Sequence, residues 1–199
     1  MKTILWDFDG VILDSMKIRD LGFEIIFESY EAKDVKKLLE FHRINGGLSR
    51  YVKIRYFFEE ILKKEVSENT IIKFASKFSE YMRAELTQKK YLIEETVNFI
   101  GQNYNKYNFH IVSGSDQNEL RFLCEKLEIN TFFLSIHGSP TPKIQLVKDL
   151  LTIYKYDKKE VFLIGDSIND YEAATINSID FIGYNNEDLE KLNTIPTIF

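Results

Sequence analysis

The chain has 199 residues, of which 44% are hydrophobic and 29% charged, a composition typical of one globular domain or of a core with an inserted subdomain. The net charge of −5 does not favour binding to nucleic acid or to an anionic membrane, and no apolar run reaches the length of about 18 residues that a transmembrane helix needs. Cys124 is the only cysteine, so an intrachain disulfide is excluded and a reducing, cytoplasmic setting is expected.

The first predicted element is a buried parallel strand at residues 2–7, which leads into Asp7-Phe8-Asp9-Gly10. Alternate residues of a strand point to the same side, so Asp7 and Asp9 are expected to face one site unless the strand has already ended between them. Two adjacent carboxylates need a cation or a shared proton, and Mg²⁺ is the natural cation. Taken alone, however, an Asp-x-Asp pair fits a solvated strand end better.

Residues 16–87 are predicted to form about four helices and no strand, because apolar residues recur there at helical spacing. A break at Asn45-Gly46-Gly47 separates two of these helices, and Ser49 and Ser67 are candidate N-caps. The predicted helices after the first cover residues 33–41, 50–63 and 67–86.

Strands and helices alternate from about residue 91 onwards, which predicts a parallel sheet with right-handed crossovers. The predicted strands are 109–112, 132–136, 161–164 and 179–182, and the predicted helices are 93–104, 118–127, 142–154 and 170–175. With the first strand, this is an α/β fold with a Rossmann-like, doubly wound parallel sheet. We predict a core of residues 1–15 and 88–199 with an inserted α-helical cap at 16–87, and a short helix and an edge segment in the tail, 185–199.

Three further stretches repeat the pattern of an apolar strand followed by polar residues. They are His110-Ile-Val-Ser-Gly-Ser115, Gly138-Ser-Pro-Thr-Pro-Lys143 and Val161-Phe-Leu-Ile-Gly-Asp-Ser-Ile-Asn-Asp170. Together with D-F-D-G-V near the start, the set resembles the haloacid dehalogenase-like (HAD) superfamily. Within it, the chain is most similar to the phosphatase and phosphomutase branch with a small helical cap, the phosphoglycolate phosphatase and β-phosphoglucomutase type. The resemblance covers nearly the whole chain and implies that the first strand lies centrally, between strands 109–112 and 161–164.

The resemblance implies a catalytic pair of aspartates and a cofactor. Asp7 would be the nucleophile that forms an aspartyl phosphate, and Asp9 the general acid and base. Asp166 would ligate Mg²⁺ directly, and Asp170 would ligate it or orient its water. Asp7 and the backbone carbonyl of Asp9 would complete the metal site.

The phosphate-binding residues implied by the resemblance are Ser113, Gly114 and Lys143. The Ser113 hydroxyl and the backbone after it would hold a phosphoryl oxygen, and Gly114 would let the backbone approach. Many relatives carry their active-site lysine just before a proline, a position that Ser139 occupies here. Lys143 lies four residues later and could reach the same point from the first turn of a helix, but a surface position for Lys143 stays open.

The cap is expected to choose the substrate through Asn45, Gly46 and Arg50. The G-L-S-R portion of this tract resembles the cap substrate loop of the sugar-phosphomutase branch, where the arginine contacts an anionic group. Arg50 could grip a carboxylate or phosphate with two hydrogen bonds. The alternative is a helix N-terminus with a solvated arginine.

These observations favour a magnesium-dependent phosphatase acting on a small phosphorylated metabolite, such as a sugar phosphate or phosphoglycolate. The alternative is a phosphomutase, although relatives of that type carry a histidine where this chain has Arg19. A non-catalytic binding protein on a HAD core is the third interpretation, which the retained acidic residues disfavour. The oligomeric state stays open.

Overall fold

A computed structural model describes residues 1–198 and contains one five-stranded parallel sheet. The strand order is β3-β2-β1-β4-β5, which confirms the predicted doubly wound α/β architecture. The strands are β1 (Thr3–Trp6), β2 (Asn108–Asp116), β3 (Ser135–Ser139), β4 (Val161–Gly165) and β5 (Asp180–Gly183).

The central strand β1 is buried along its whole length and pairs with β2 on one side and β4 on the other. Its sequence Thr-Ile-Leu-Trp has no polar face because helices cover both sides of the sheet. The chain first builds outward through β2 and β3, then returns to add β4 and β5. The order therefore reverses between β1 and β4, and ligands of open α/β sheets bind at the carboxyl ends of strands beside such a reversal.

Four helices between residues 16 and 85 form the cap segment. They are α1 (Met16–Ile26), α2 (Ala32–Ile44), α3 (Arg50–Tyr56) and α4 (Glu68–Glu85). The predicted caps are confirmed, because the hydroxyls of Ser49 and Ser67 accept hydrogen bonds from the N–H groups of Val52 and Thr70.

The remaining helices pack on the two faces of the sheet. They are α5 (Glu94–Asn103), α6 (Gln117–Lys126), α7 (Lys143–Tyr154), α8 (Ile168–Asn177) and α9 (Glu187–Glu190). Leu5 lies in a cluster with apolar residues of α7 and α8. Trp6 lies in a second cluster, which includes Cys124 of α6 and continues into the cap. This continuity means that the cap boundary at 16–87 stays a prediction.

Two predicted elements differ from the structure. In both, the apolar pattern that predicted a regular element reflects the packing of aromatic side chains. The predicted helix 50–63 is α3 followed by a π-helical turn, Phe57–Ile61, in which both neighbouring phenylalanines are buried. Phe57 and Phe58 pack on Phe27, with ring centroids 4.1 and 6.0 Å away. The predicted strand 132–136 instead begins at Ser135. Before it, the rings of Phe132 and Phe133 pack on Tyr104 and Phe109.

The tail forms the predicted short helix, α9, and then follows the outer edge of β5. The backbone N–H of Phe181 donates to Thr194 Oγ1 over 2.9 Å, and that of Gly183 donates to Asn193 Oδ1 over 2.6 Å. The tail thus lies along the edge as predicted but without forming a strand up to residue 198, and Phe199 lies outside the described residues. Within the described part of the chain, no helix is both long and apolar enough to cross a bilayer.

Candidate active site

Asp7 immediately follows β1 at the carboxyl edge of the sheet and is only 3% exposed. The Nζ atom of Lys143, at the start of α7, lies 2.9 Å from Asp7 Oδ1. Lys143 is itself 6% exposed, so the surface alternative for this residue is wrong. Burial and the neighbouring Asp170 carboxylate raise the pKa of Asp7 to about 7, against the opposing effect of Lys143.

Three carboxylates, those of Asp7, Asp166 and Asp170, converge at this edge with their oxygen atoms within 4.8 Å of one another. Asp170 also forms an ion pair with Lys143 and accepts hydrogen bonds from Ser167 at the start of α8. Burial, then the charge of Asp7, raises the pKa of Asp166 well above its usual range. Three carboxylates facing one ammonium leave uncompensated negative charge, and this donor set fits a divalent cation such as Mg²⁺.

Gly10 lets the backbone after β1 pass close to the carboxylate of Asp166. Its φ of +76° lies in the left-handed region, and a Cβ atom there would stand 1.9 Å from Asp166 Oδ2. The turn after β1 therefore requires glycine for both its conformation and its space.

Asp9 has a separate set of partners. Its carboxylate accepts hydrogen bonds from Ser15 over 2.5 Å and Ser115 over 2.6 Å, and Arg19 Nε lies 2.6 Å away. Burial alone would raise the pKa of Asp9, but Arg19 and the two hydroxyls outweigh it and lower this pKa. Because β1 ends at Trp6, the alternation of a strand no longer holds at Asp9. The side chains of Asp7 and Asp9 therefore have different neighbours.

The predicted phosphate-binding residues Ser113 and Gly114 lie in the carboxyl half of β2, next to the central strand. Ser113 is buried, and its hydroxyl accepts a hydrogen bond from the N–H of Ser115 over 3.1 Å. Gly114 faces the cap: a Cβ atom there would lie 2.3 Å from the carbonyl oxygen of Gly47. The absence of a side chain at Gly114 thus admits the cap loop.

The three predicted cap residues are placed differently. Asn45 ends α2 and donates to the carbonyl of Phe41, so its side chain is used within the cap. Gly46 borders the cavity that also contacts Asp9, and its carbonyl accepts a hydrogen bond from Lys53. Arg50 is more deeply buried than either interpretation of the sequence predicts, and it contacts the core.

Arg50 connects the cap to the core. Its Nη1 atom lies 2.5 Å from Glu119 Oε2 on α6 and donates to Ser79 of α4 over 2.6 Å. Arg50 is 4% exposed and Glu119 is fully buried, so the solvated-arginine alternative is wrong. Binding of a substrate anion by Arg50 stays a prediction. In the structure, the guanidinium of Arg50 already pairs with the carboxylate of Glu119.

We expect Arg50→Ala to lower the free energy of unfolding by about 3 kcal/mol, because it leaves the buried Glu119 carboxylate with less compensation. The matched control is Arg55→Ala on the same helix, whose ion pairs with Glu59 and Glu68 are exposed. This control should lose far less stability. Urea unfolding of the two variants measures the difference. Equally small losses for both would restore the interpretation of Arg50 as a solvated side chain.

Sequence reasoning missed several residues that shape the site. The hydroxyl of Ser115 donates to the carboxylate of Asp9, whereas Asp116 accepts the capping hydrogen bonds at the start of α6. Glu119, within the predicted helix 118–127, accepts hydrogen bonds from both Arg19 and Arg50. Lys53, within the predicted helix 50–63, is buried and donates to the carbonyl of Gly46.

Two of the cavities between the cap and the core are bordered by residues of the candidate site. One, of about 20 Å³, is bordered by Asp9, Arg19, Arg50 and Lys53. The other, of about 110 Å³, lies between the Gly47–Ser49 segment and the residues around Lys143. A small molecule could therefore contact both the acidic edge of the sheet and the cap.

Comparison with known proteins adds independent information. The family model of haloacid dehalogenase-like hydrolases matches residues 4–184, whereas no curated protein matches. A hydrolase of this family from Streptococcus pneumoniae is 18% identical, with a TM-score of 0.69 over 96% of this chain and 90% of that one. A protein from Haemophilus somnus, described as a predicted phosphoglycolate phosphatase, is 17% identical, with a TM-score of 0.65 over 92% and 84%. The HAD-hydrolase YfnB from Bacillus subtilis, bound to magnesium, is 17% identical, with a TM-score of 0.71 over 97% and 92%.

At these identities the solved structures show the fold and no more. The match of the family model spans both the first strand with its aspartates and the acidic loop after β4. The chain therefore belongs to the haloacid dehalogenase-like hydrolase family.

Proposed function

We propose that this hydrolase is a magnesium-dependent phosphatase that acts on a small phosphomonoester through an aspartyl phosphate on Asp7. The observation that carries the proposal is the buried Asp7 carboxylate, which faces Lys143 within a cluster of three carboxylates. Asp9 stands apart in its own network. The similarity to a predicted phosphoglycolate phosphatase supports the same class of substrate.

In this mechanism Asp7 attacks phosphorus while the bond to the leaving oxygen breaks. The ammonium of Lys143, 2.9 Å from Asp7 Oδ1, holds the carboxylate in place and offsets negative charge on the phosphoryl group. Ser113 and the backbone at Gly114 would hold a phosphoryl oxygen. The aspartyl phosphate then divides one difficult displacement into two easier ones.

Asp9 would give a proton to the leaving oxygen and later remove one from the water that attacks the aspartyl phosphate. The ion pair with Arg19 lowers the pKa of Asp9 and so favours the carboxylate form, which the second of these steps requires. To act as an acid in the first step, Asp9 must be released by Arg19. Arg19 lies on α1, the first helix of the cap segment, so movement of the cap can couple substrate entry to this release.

Magnesium would be held by Asp7, Asp166 and Asp170, together with the backbone carbonyl of Asp9 that the family resemblance implies. When bound, it would supply positive charge that offsets both the phosphate and the clustered carboxylates. The magnesium in the similar B. subtilis hydrolase supports this choice of cation.

A phosphomutase is the second candidate, and Arg19 disfavours it. In the mutase branch a histidine occupies this position, whereas here a buried arginine forms an ion pair with Asp9. A purely non-catalytic role would not explain why an ammonium and several carboxylates are buried together at Asp7.

A phosphate-release screen tests the proposal. The protein, supplied with Mg²⁺, is incubated with about a hundred small phosphomonoesters, and inorganic phosphate is measured. We expect release from a small group of related esters. No release from any of them would contradict the proposal, and transfer of the phosphoryl group to another carbon of a sugar would identify a mutase instead.

A further inference from the structure

The larger of the two cavities at the candidate site, of about 110 Å³, lies beside the residues proposed to hold the phosphoryl group. Gly114 and Lys143 border it on the core side, and Lys143 Nζ is 2.9 Å from Asp7 Oδ1. The Gly47–Ser49 segment and Val52 border it on the cap side. A phosphoryl group held at Asp7 therefore has this cavity next to it.

The size of this cavity suits a small organic group. One water needs roughly 10–15 Å³ of such volume, so a cavity of about 110 Å³ has room for a small alcohol. The other cavity, bordered by Asp9 and Arg50, measures about 20 Å³ and is close to the space of one water. Of these two cavities, the larger one is therefore the place for the alcohol part of a phosphomonoester in this arrangement of cap and core.

Most of the wall of this cavity is apolar. Leu48 and Val52 contribute from the cap, and Pro140, Pro142 and Ile144 contribute from the start of α7 and the segment before it. The side chain of Val52 is 46% exposed, so a ligand in the cavity would cover apolar surface that water now contacts. Removing such surface from water is favourable, and the wall therefore favours a leaving group with hydrocarbon character.

The charges at this cavity do not favour an anionic leaving group. Of the residues 1–198 that border it, only Lys143 is cationic, and its ammonium already pairs with Asp7 and Asp170. The other charged residue there is Glu172, which is exposed and negative. A second anionic group would lose hydration without gaining a free cation, so the cavity favours an uncharged alcohol.

Two buried polar atoms of residues at the cavity have no hydrogen-bond partner within residues 1–198. They are Oγ of Ser139, a residue that is 1% exposed, and Oδ1 of Asn169. The Nδ2 atom of Asn169 donates to Glu172 over 3.4 Å, which leaves Oδ1 as a free acceptor. Buried polar atoms without a partner are rare, so a ligand is expected to supply one. A hydroxyl group suits both, because it can donate to Asn169 and can donate to or accept from Ser139.

We propose that this cavity binds the alcohol part of the substrate, and that this alcohol is uncharged, largely hydrocarbon and carries one further hydroxyl group. Val52 would contact its hydrocarbon chain, and Ser139 and Asn169 would bind its hydroxyl group. The proposal rests on the proposed phosphatase function and narrows its substrate class to the monophosphate of a small diol. A polyol fits less well, because two free polar atoms cannot satisfy its many hydroxyl groups. Hydrolysis would release the free diol and inorganic phosphate.

The test uses four phosphomonoesters that share a four-carbon chain and differ in the groups on that chain. They are butyl phosphate, 4-hydroxybutyl phosphate, 4-(phosphonooxy)butanoate and erythritol 4-phosphate. Supplied with Mg²⁺, the wild type is expected to show its highest kcat/KM with 4-hydroxybutyl phosphate. A higher value with the carboxylate or with the polyol would overturn the proposal.

Ser139→Ala tests the hydrogen bond to the distal hydroxyl group. It should reduce the preference for 4-hydroxybutyl over butyl phosphate about 3- to 10-fold, which is the strength of one neutral hydrogen bond. The melting temperature should not fall, because the deleted oxygen has no partner within residues 1–198. Ser76→Ala, at an exposed serine of α4, is the control and should keep the wild-type ratio. An unchanged ratio in folded Ser139→Ala would contradict the proposal.

Val52→Asn tests the apolar wall, and its exposed position makes loss of folding less of a concern. It should lower kcat/KM about 3- to 10-fold for butyl and 4-hydroxybutyl phosphate alike, because both chains would lose an apolar contact. The matched control is Ile72→Asn on α4, whose side chain is 54% exposed and does not border the cavity. It should change neither value, and equal effects of the two substitutions would exclude the proposed contact and with it the proposal.

The same measurements distinguish this proposal from the phosphatase function on which it rests. Turnover of other esters without a preference for 4-hydroxybutyl phosphate would overturn the proposal and leave the phosphatase function standing. Absence of turnover with every ester would count against that function. The melting temperature of the metal-free wild type would then test the cavity: 4-hydroxybutyl phosphate should raise it more than the other three esters do, and equal shifts would contradict the proposal.

Discussion

Asp7→Asn is expected to reduce phosphate release by more than about 1000-fold while leaving the protein folded. The amide has nearly the shape of the carboxylate but cannot attack phosphorus, and loss of the nucleophile removes the covalent route entirely. Folding should be preserved because Asp7 is buried beside Asp170, and the substitution removes repulsion between the two. Phosphate release and a circular dichroism melt measure the two effects.

The matched control for this substitution is Asp14→Asn, an exposed carboxylate a few residues along the same loop. It should keep near-wild-type activity. If Asp7→Asn does so too, the covalent mechanism is wrong. An unfolded Asp7→Asn variant would instead mean that the ion pair between Asp7 and Lys143 is essential to the fold.

Removal of the metal is the second change expected to have a large effect. Activity should fall below detection in excess chelator and return when Mg²⁺ is added, because three clustered carboxylates otherwise repel an anionic substrate. Calcium should restore little of it, since its larger and looser coordination would misplace the carboxylates.

A second readout separates metal binding from turnover. Mg²⁺ should raise the melting temperature of the wild type, because a ligand that binds only the folded state stabilises it. The variant with both Asp166→Asn and Asp170→Asn should show a much smaller rise. Full activity in excess chelator, or an equal rise in both proteins, would exclude the proposed site.

The sequence was most informative where local pattern and chemistry coincide. A short apolar run that ends in Asp7 predicts both the central strand and the position of a carboxylate at the sheet edge, and the structure places both there. Lys143 was harder to assign, because it lies four residues after the position, held here by Ser139, at which many relatives carry their lysine. This distance left both a buried and a surface position open. Its burial depends on where α7 begins, and helix boundaries are poorly determined by pattern alone.

Contacts between distant helices could not be predicted. Glu119 and its partners Arg19 and Arg50 are 100 and 69 residues apart in the chain, and each lies in a helix where charged residues are ordinarily solvated. The orientation of Asp9 stayed open for a different reason: β1 ends at Trp6, and the period-two alternation ends with it. Small shifts of a boundary thus decide which carboxylates share a site.

The close approach of Gly114 to Gly47 has a consequence for how this enzyme can diversify. At this contact between the cap and the core, one backbone lies against the other and leaves no room for even a methyl group. The cap therefore fits the core only because neither residue at this contact has a side chain. Such a contact tolerates substitution less than a contact between flexible side chains, which can adjust. Variation that alters substrate choice is consequently expected in the helices behind this contact, whereas the two glycines should resist change whatever the substrate.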